Sequence, residues 1–352
     1  MASDIDRREL GPPADVHKFD ETALSIWLQD HIPEFDGGCT VRQFLGGQSN
    51  PTYLIEDPSG SYVLRKKPPG KLLPSAHAVD REFRVMSALA GTTVPVPATR
   101  VLCEDESVIG QVFYVMDYVP GRVLAERDMP GCTPGERTSM YESLAAVLGN
   151  LHAVNFEAVG LGNFGRPTGY VARQIARWSR QYEASKVEDC EPMDRVIEWL
   201  GQNDPNDDVA AIAHGDYRPG NVIFHSVRPT VAAVLDWELS TIGHPLADVG
   251  YFLMPYRLDA AASPWGLQGL DLDAIGIPPE SAVLEAYAKA SDARSVPDID
   301  FYIVFAMFRL AAILAGVIKR GIDGNASDPR AVERGRTYAQ LASVALGIAH
   351  NS

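Results

Sequence analysis

Three oxygen-bearing side chains near the middle of the chain have the types and spacing for phosphoryl chemistry. Asp216 is followed five residues later by Asn221, and a second carboxylate, Asp236, ends an apolar run. An amide oxygen and a carboxylate are hard ligands, suited to a Mg²⁺ ion that keeps several waters and binds phosphate. Between them, Val222–His225 and Val231–Leu235 read as short strands joined by a Pro-containing turn. A hairpin brings its two ends together, so Asn221 and Asp236 are predicted to meet. Asp216, just upstream, then faces an incoming hydroxyl. A single Asp or Asn is usually a cap or a turn residue; the chemistry is suggested by three of them in this order.

The octapeptide His214-Gly215-Asp216-Tyr217-Arg218-Pro219-Gly220-Asn221 resembles the catalytic loop of the aminoglycoside phosphotransferase-like (choline kinase-like) family, a branch of the protein-kinase-like fold. Its Asp-to-Asn spacing is that of the protein-kinase H-R-D-x-x-x-x-N, with Gly215 in place of the Arg. Leu235-Asp236-Trp237-Glu238 resembles the family's counterpart of the metal-binding D-F-G. The segment from Gly243 to Gly250 resembles the one whose acid, here Asp248, braces the catalytic loop. The likeness runs from near Val41 to near Arg320 and includes the kinase-like domain attached to some acyl-CoA dehydrogenases. It implies an α+β, bilobal protein-kinase-like fold, with a small β-rich N-terminal lobe and a larger, mostly helical C-terminal lobe. It also implies ATP and Mg²⁺ as cofactors, Asp216 as the catalytic residue, and Asn221 and Asp236 as the metal ligands. Arg218 stands where many kinases carry a Lys near the γ-phosphate; it either neutralises transition-state charge or pairs with a neighbouring carboxylate.

These residues need a scaffold on their N-terminal side. Val41–Leu45 and Thr52–Glu56 read as strands flanking Gly46-Gly47-Gln48-Ser49-Asn50-Pro51. Glycines let backbone N–H groups approach a phosphate because no Cβ intervenes, although a plain hairpin turn also fits. The loop is neither a Walker A motif nor G-x-G-x-x-G. Its likeness to the family's GGxSNxT loop assigns Gly46, Gly47, Ser49 and Asn50 to nucleotide binding. Ser61–Arg65 alternates as a third strand ending in Arg65-Lys66-Lys67. Kinase-like folds place here a cation for the α/β-phosphates, paired with a carboxylate from the next helix. Position selects Arg65, with Lys66 on the opposite face of the strand, and likeness to the family's REF/REY pattern selects Glu82 as its partner. A solvated basic patch and a surface Glu are the alternatives.

Further along, Gln111–Met116 reads as an apolar strand, followed by the turn signal Asp117-Tyr118-Val119-Pro120-Gly121. In a two-lobed kinase this linker reads the adenine edge with its backbone, which nominates Asp117 and Tyr118. The composition then turns helical. The expected organisation is a mobile arm over 1–18, a nucleotide-binding lobe over 19–117, a hinge at 118–122, and a catalytic and substrate lobe over 123–352. Helices are predicted near Ala78, at Gly135–His152, at Tyr170–Tyr182 and at Met193–Leu200. Phe301–Val317 is almost continuously apolar, but Arg309 interrupts it and it is short for a bilayer. It reads as a buried core helix.

Bulk properties limit the function classes. A chain of 352 residues can bury a large core. Its formal net charge of −15 argues against nonspecific nucleic-acid binding. The four cysteines are scattered without a CxxC pair, which disfavours zinc or a disulfide framework and fits a reducing, cytoplasmic interior. The N-terminal residues lack an apolar core, so no secretory leader and no membrane partner are expected. No A-P-E follows Asp236, which argues against a protein kinase. The expectation is an ATP- and Mg²⁺-dependent kinase acting on a small hydroxyl-bearing substrate, with a hydroxyacyl-CoA or an amino-sugar among the acceptors the likeness implies. The runner-up is a nucleotide-binding module without turnover. Oligomeric state is not legible.

Overall fold

Strand-forming sequence dominates the first third of the chain and helix-forming sequence most of the rest, and the fold divides accordingly. The computed structural model describes residues 10–45, 50–70, 78–293, 296, 299–324 and 331–351. In chain order the elements are β1 (Leu10–Gly11), α1 (Glu21–His31), β2 (Thr40–Phe44), β3 (Thr52–Asp57), β4 (Gly60–Lys66), α2 (Val79–Leu89), β5 (Thr99–Cys103), β6 (Phe113–Asp117) and β7 (Gly121–Arg122). Then come α3 (Pro134–Ala153), α4 (Tyr170–Ser185), α5 (Glu191–Gln202), β8 (Ala211–Ala213), β9 (Val222–His225), β10 (Val231–Val234), β11 (Thr241–Gly243) and α6 (Pro245–Leu253). The chain closes with α7 (Leu272–Ile275), α8 (Glu280–Ala290), α9 (Asp300–Ile322), α10 (Ala331–Gly335) and α11 (Thr337–Ala349).

Two compact units result: Met1–Ala125 with Pro219–Ser240, and Glu126–Arg218 with Thr241–Ser352. The first holds an antiparallel six-stranded sheet in the order β1-β2-β3-β4-β6-β5, and a three-stranded one in the order β10-β9-β7. Leu24 and Leu28 of α1 pack on Tyr53, Ile55, Leu64 and Val115 of the large sheet. Asp20 caps α1, its carboxylate accepting from the N–H groups of Thr22 and Ala23. The N-terminal unit runs through Ala125, and the β9–β10 hairpin belongs with it. Part of the stretch expected as a mobile arm is tied down. β1 pairs with β2, and the Tyr53 hydroxyl donates to the His17 carbonyl at 2.9 Å.

The second unit is helical apart from the short pair β8–β11. A capping box, Thr133 with Glu136, and Pro134 at the first helical position start α3. Residues of α9 are buried almost throughout its first four turns, and the helix packs against α4, α5, α6, α10 and α11. Among the described residues α9 is the one helix long and apolar enough to cross a membrane, but most of it is buried within the chain, as the core-helix reading expects.

Candidate active site

In the N-terminal unit the site is built on β4, α2 and the β9–β10 hairpin. β4 pairs with β3 and β6, so that Arg65 lies opposite Thr52 on one side and Tyr114 on the other. The strand's alternation sends Arg65 and Lys66 to opposite faces. Lys66 is almost fully buried: its Nζ donates to Gln111 at 2.8 Å and lies 5.5 Å from the centre of the Phe19 ring. The basic run is therefore not a solvated patch. On the other face, the Arg65 guanidinium donates to Asp236 Oδ1 at 2.7 Å and reaches Glu238 at 3.9 Å. Its Nε lies 3.2 Å from Glu82 Oε2, without hydrogen-bond alignment.

Glu82 is itself buried, accepting from Asn50 Nδ2 at 2.8 Å and from the Tyr114 hydroxyl at 3.2 Å. Burial pushes its carboxyl up to about 7. Arg65 pulls it down, while the nearby Asp236 and Glu238 carboxylates add to the upward push. Arg65 is drawn the opposite way by burial, but Glu82 and Asp236 more than compensate, and it stays firmly cationic. One guanidinium is thus shared among three carboxylates. Removing one member of a buried ion pair typically costs about 3–5 kcal/mol.

The hairpin register sets Val222 opposite Val234, and the Leu235 N–H donates to the Asn221 carbonyl at 2.9 Å. This sets Asn221 beside the residue that precedes Asp236, as the strand spacing implies. Asp236 has φ +63, in the left-handed region that non-glycine residues rarely occupy. Such strain persists only where the surroundings hold it, and here the Arg65 contact does so. The donor set suits a magnesium ion: an amide oxygen on Asn221, and on Asp236 a second oxygen besides the one facing Arg65. Among the described residues no group of three or more His, Cys, Asp or Glu side chains could hold a metal by itself.

In the helical unit, β8 leads directly into the predicted catalytic loop. β11 pairs with β8, Ile242 opposite Ile212, and then hands the chain to α6, whose first turn His244 caps through Nδ1. This route delivers Asp248 to the loop backbone. Its carboxylate, fully buried, accepts from the N–H of His214 at 2.6 Å and of Gly215 at 2.9 Å, and lies 3.4 Å from His152 Nε2. Burial pushes Asp248 up, but His152, His214 and the Gly215 N–H together bring it below the ordinary 3.8. Gly215 has φ +86, which explains why an Arg is not found there: a side chain would be strained. The Asp216 N–H donates to His214 Nδ1 at 3.2 Å, and the buried Tyr217 hydroxyl donates to the Leu144 carbonyl at 2.8 Å. Arg218 Nε lies 3.5 Å from Asp216 Oδ2, the carboxylate pairing that was one of its two expected roles.

Of the remaining nominated residues, Gly46, Gly47 and Ser49 lie outside the described residues. Asn50 supports Glu82. At the linker the Asp117 N–H donates to the Ala98 carbonyl and the Tyr118 N–H to the Ser61 carbonyl. The Asp117 carboxylate is forked by Arg100 at 2.5 and 2.9 Å. Gly121 follows at a close approach, where a Cβ would collide with the Phe224 carbonyl across the β7–β9 pair. Sequence reading did not assign Tyr114, Glu238, Tyr251 or Arg309. Glu238 sits in the quoted Leu235–Glu238 motif, and Arg309 is the charge that interrupts the apolar run.

Comparison with known proteins places these features in context. The model of the phosphotransferase enzyme family (APH) matches residues 40–277. Mouse acyl-CoA dehydrogenase family member 10 is 41% identical over 314 residues, covering 89% of this chain and 29% of that protein. Human acyl-CoA dehydrogenase family member 11 is 39% identical over 317 residues, covering 88% of this chain and 40% of that protein. The chain thus spans well under half the length of these relatives. Among solved structures, a proposed aminoglycoside phosphotransferase from Ralstonia eutropha is 43% identical and superimposes with a TM-score of 0.87, covering 95% of this chain and 99% of that one.

Proposed function

We propose, from the premise that this chain belongs to the phosphotransferase enzyme family, that it transfers the γ-phosphate of ATP, with Mg²⁺, to the hydroxyl of a small molecule. The fold is protein-kinase-like, and the family's chemistry is phosphoryl transfer to alcohols. The observation that carries the ATP and Mg²⁺ reading is Arg65, flanked by Glu82 at 3.2 Å and by Asp236 at 2.7 Å. A cation in that setting can hold the α/β-phosphates of a nucleotide while the paired carboxylates keep it in place.

Asn221 and Asp236 would hold Mg²⁺, which when bound screens the phosphate charge. Asp216 orients the acceptor hydroxyl and takes its proton as the new O–P bond forms and the bond from the γ-phosphorus to the ADP oxygen breaks. A carboxylate suffices because the hydroxyl becomes acidic only late in the transfer. Arg218, exposed and beside Asp216, is free to swing toward the transferring group. The acceptor class we favour is a hydroxylated acyl thioester, not an amino-sugar. The relatives are named for acyl-CoA dehydrogenation, and the half-exposed Arg218 beside Asp216 is a cation suited to an anionic acceptor. The four free cysteines suit a reducing, cytoplasmic setting.

The test is ATP consumption with Mg²⁺ against hydroxyacyl-CoAs, amino-sugars and other hydroxylated metabolites, for the wild type and for Asp216→Asn. The variant is expected to lose about 10²–10⁴-fold in turnover while binding ATP as before. Parallel loss of both would remove Asp216 from the base role. Absence of turnover with every acceptor would leave a nucleotide-binding module.

A further inference from the structure

The apolar helix α9 contributes one buried cation, Arg309, and it is aimed at the catalytic loop. Its guanidinium donates to the Gly215 carbonyl, the peptide oxygen immediately before Asp216. The same guanidinium lies 5.3 Å from the centre of the Tyr251 ring. Tyr251, on α6, also has the Asp216 carboxylate as a neighbour: burial first, and then that carboxylate, push its phenol above the ordinary value. Arg309 has no carboxylate within ion-pair distance among the described residues, so a structural ion pair does not account for it. A charge buried in an apolar helix costs several kcal/mol unless its surroundings compensate. A carbonyl and an aromatic face supply that compensation here.

We infer that Tyr251 and Arg309 act together as a positioning device for Asp216, Tyr251 holding the carboxylate and Arg309 holding the peptide from which it projects. The inference rests on the reading of Asp216 as the residue that takes the acceptor's proton. A phenol O–H directed at the carboxylate restricts its rotamer and so sets the direction from which it meets the acceptor. Arg309 fixes the plane of the Gly215–Asp216 peptide, whose own N–H, that of Asp216, donates to His214 Nδ1, while the N–H of the preceding peptide, that of Gly215, is pinned by Asp248. Stacking of the guanidinium over the ring keeps the phenol in place, so the two side chains act as one unit. Neither touches the reacting atoms. Small displacements of a positioned base cost rate disproportionately, because near-attack geometry is lost.

The experiment compares Tyr251→Phe, Arg309→Lys, Arg309→Met, Asp216→Asn and the double variant Asp216→Asn/Tyr251→Phe. Initial rates are followed with Mg·ATP and a short-chain hydroxyacyl-CoA, and the slow transfer to water is followed alongside. Tyr251→Phe should lower kcat about tenfold with little change in the KM for ATP, as expected for an interaction felt mainly in the transition state. Arg309→Lys, which can still donate to the Gly215 carbonyl, should retain more activity than Arg309→Met at equal thermal stability. In the Asp216→Asn background, Tyr251→Phe should have no further effect, because its role runs through the carboxylate. A kcat for Tyr251→Phe within twofold of wild type, or fully additive losses in the double variant, would overturn the inference. If instead Asp216→Asn alone kept full turnover, it is the base assignment that would fall. A crystal structure of Tyr251→Phe reads the same device without turnover: the Asp216 carboxylate should leave its rotamer, and an unmoved carboxylate overturns the proposal.

Discussion

Two buried carboxylates, Glu82 in the β-rich unit and Asp248 in the helical one, are shifted in opposite directions, and the reason distinguishes what each unit does. Both pay the desolvation cost of burial. Asp248 is surrounded by donors: two backbone N–H groups and the His152 ring, with His214 close by. These favour the charged form, so it stays ionised and holds the loop rigidly. Glu82 shares a single guanidinium with Asp236 and Glu238, and its charge is disfavoured. A fixed brace needs neutral donors whose geometry does not change. For the proposed role of the Arg65 cluster, receiving a polyanion and a divalent cation, charges that are only partly compensated are the better construction, because the ligand then completes the balance.

The largest effect should come from breaking the brace. Asp248→Ala leaves two buried N–H groups without an acceptor, each worth about 1–3 kcal/mol. The expected loss is about 3–5 kcal/mol in denaturant-monitored stability. A loss below about 1 kcal/mol would mean that water replaces the carboxylate and that the brace is not what holds the loop.

The opposite shifts sharpen the comparison through pH. Glu82 has a folded pKa of about 7, above its ordinary 4.5. It therefore contributes stability that is complete below 4.5 and is lost as pH rises to about 7. Asp248 lies below 3.8, so its contribution is present above that value and is lost as pH falls through its folded pKa. The wild-type-minus-Glu82→Gln stability difference should decline with rising pH across the first window, with a slope of at most about 1.4 kcal/mol per pH unit. The corresponding difference for Asp248→Asn should decline only in acid. Equal slopes of the same sign would erase the distinction drawn between the two units.

How much of this was legible in the sequence follows from range. The β9–β10 hairpin and the alternation of β4 are local, so Asn221, Asp236 and the opposed faces of Arg65 and Lys66 could be read from spacing. Glu82 was nominated by likeness to a family motif, and the side chain falls beside Arg65. The β8–β11 pair was missed because each strand has only three residues and its partner is distant in sequence. The partners of the Asp117 and Tyr118 N–H groups, the Ala98 and Ser61 carbonyls, follow from strand register, which composition does not carry. Arg309 was visible as an interruption in an apolar run. Its target, the Gly215 carbonyl, is 94 residues away, and no local pattern names it.

The smallest of these effects tests whether the catalytic loop has any slack. Gly215 has φ +86, where an L side chain costs roughly 1–2 kcal/mol. Elsewhere a backbone can relieve such strain by rotating a peptide. Here the Gly215 N–H is held by Asp248 and its carbonyl by Arg309, so rotation breaks one hydrogen bond or the other. Gly215→Ala should therefore lose about 1–2 kcal/mol of stability, and it should also lower kcat, because the only relaxation open to it moves Asp216. Thermal unfolding and initial rates on the same preparation separate the outcomes. Lower stability with unchanged kcat would mean that the loop yields on the side away from Asp216. The helical unit would then be less rigid around its carboxylate than Asp248 and Arg309 together imply.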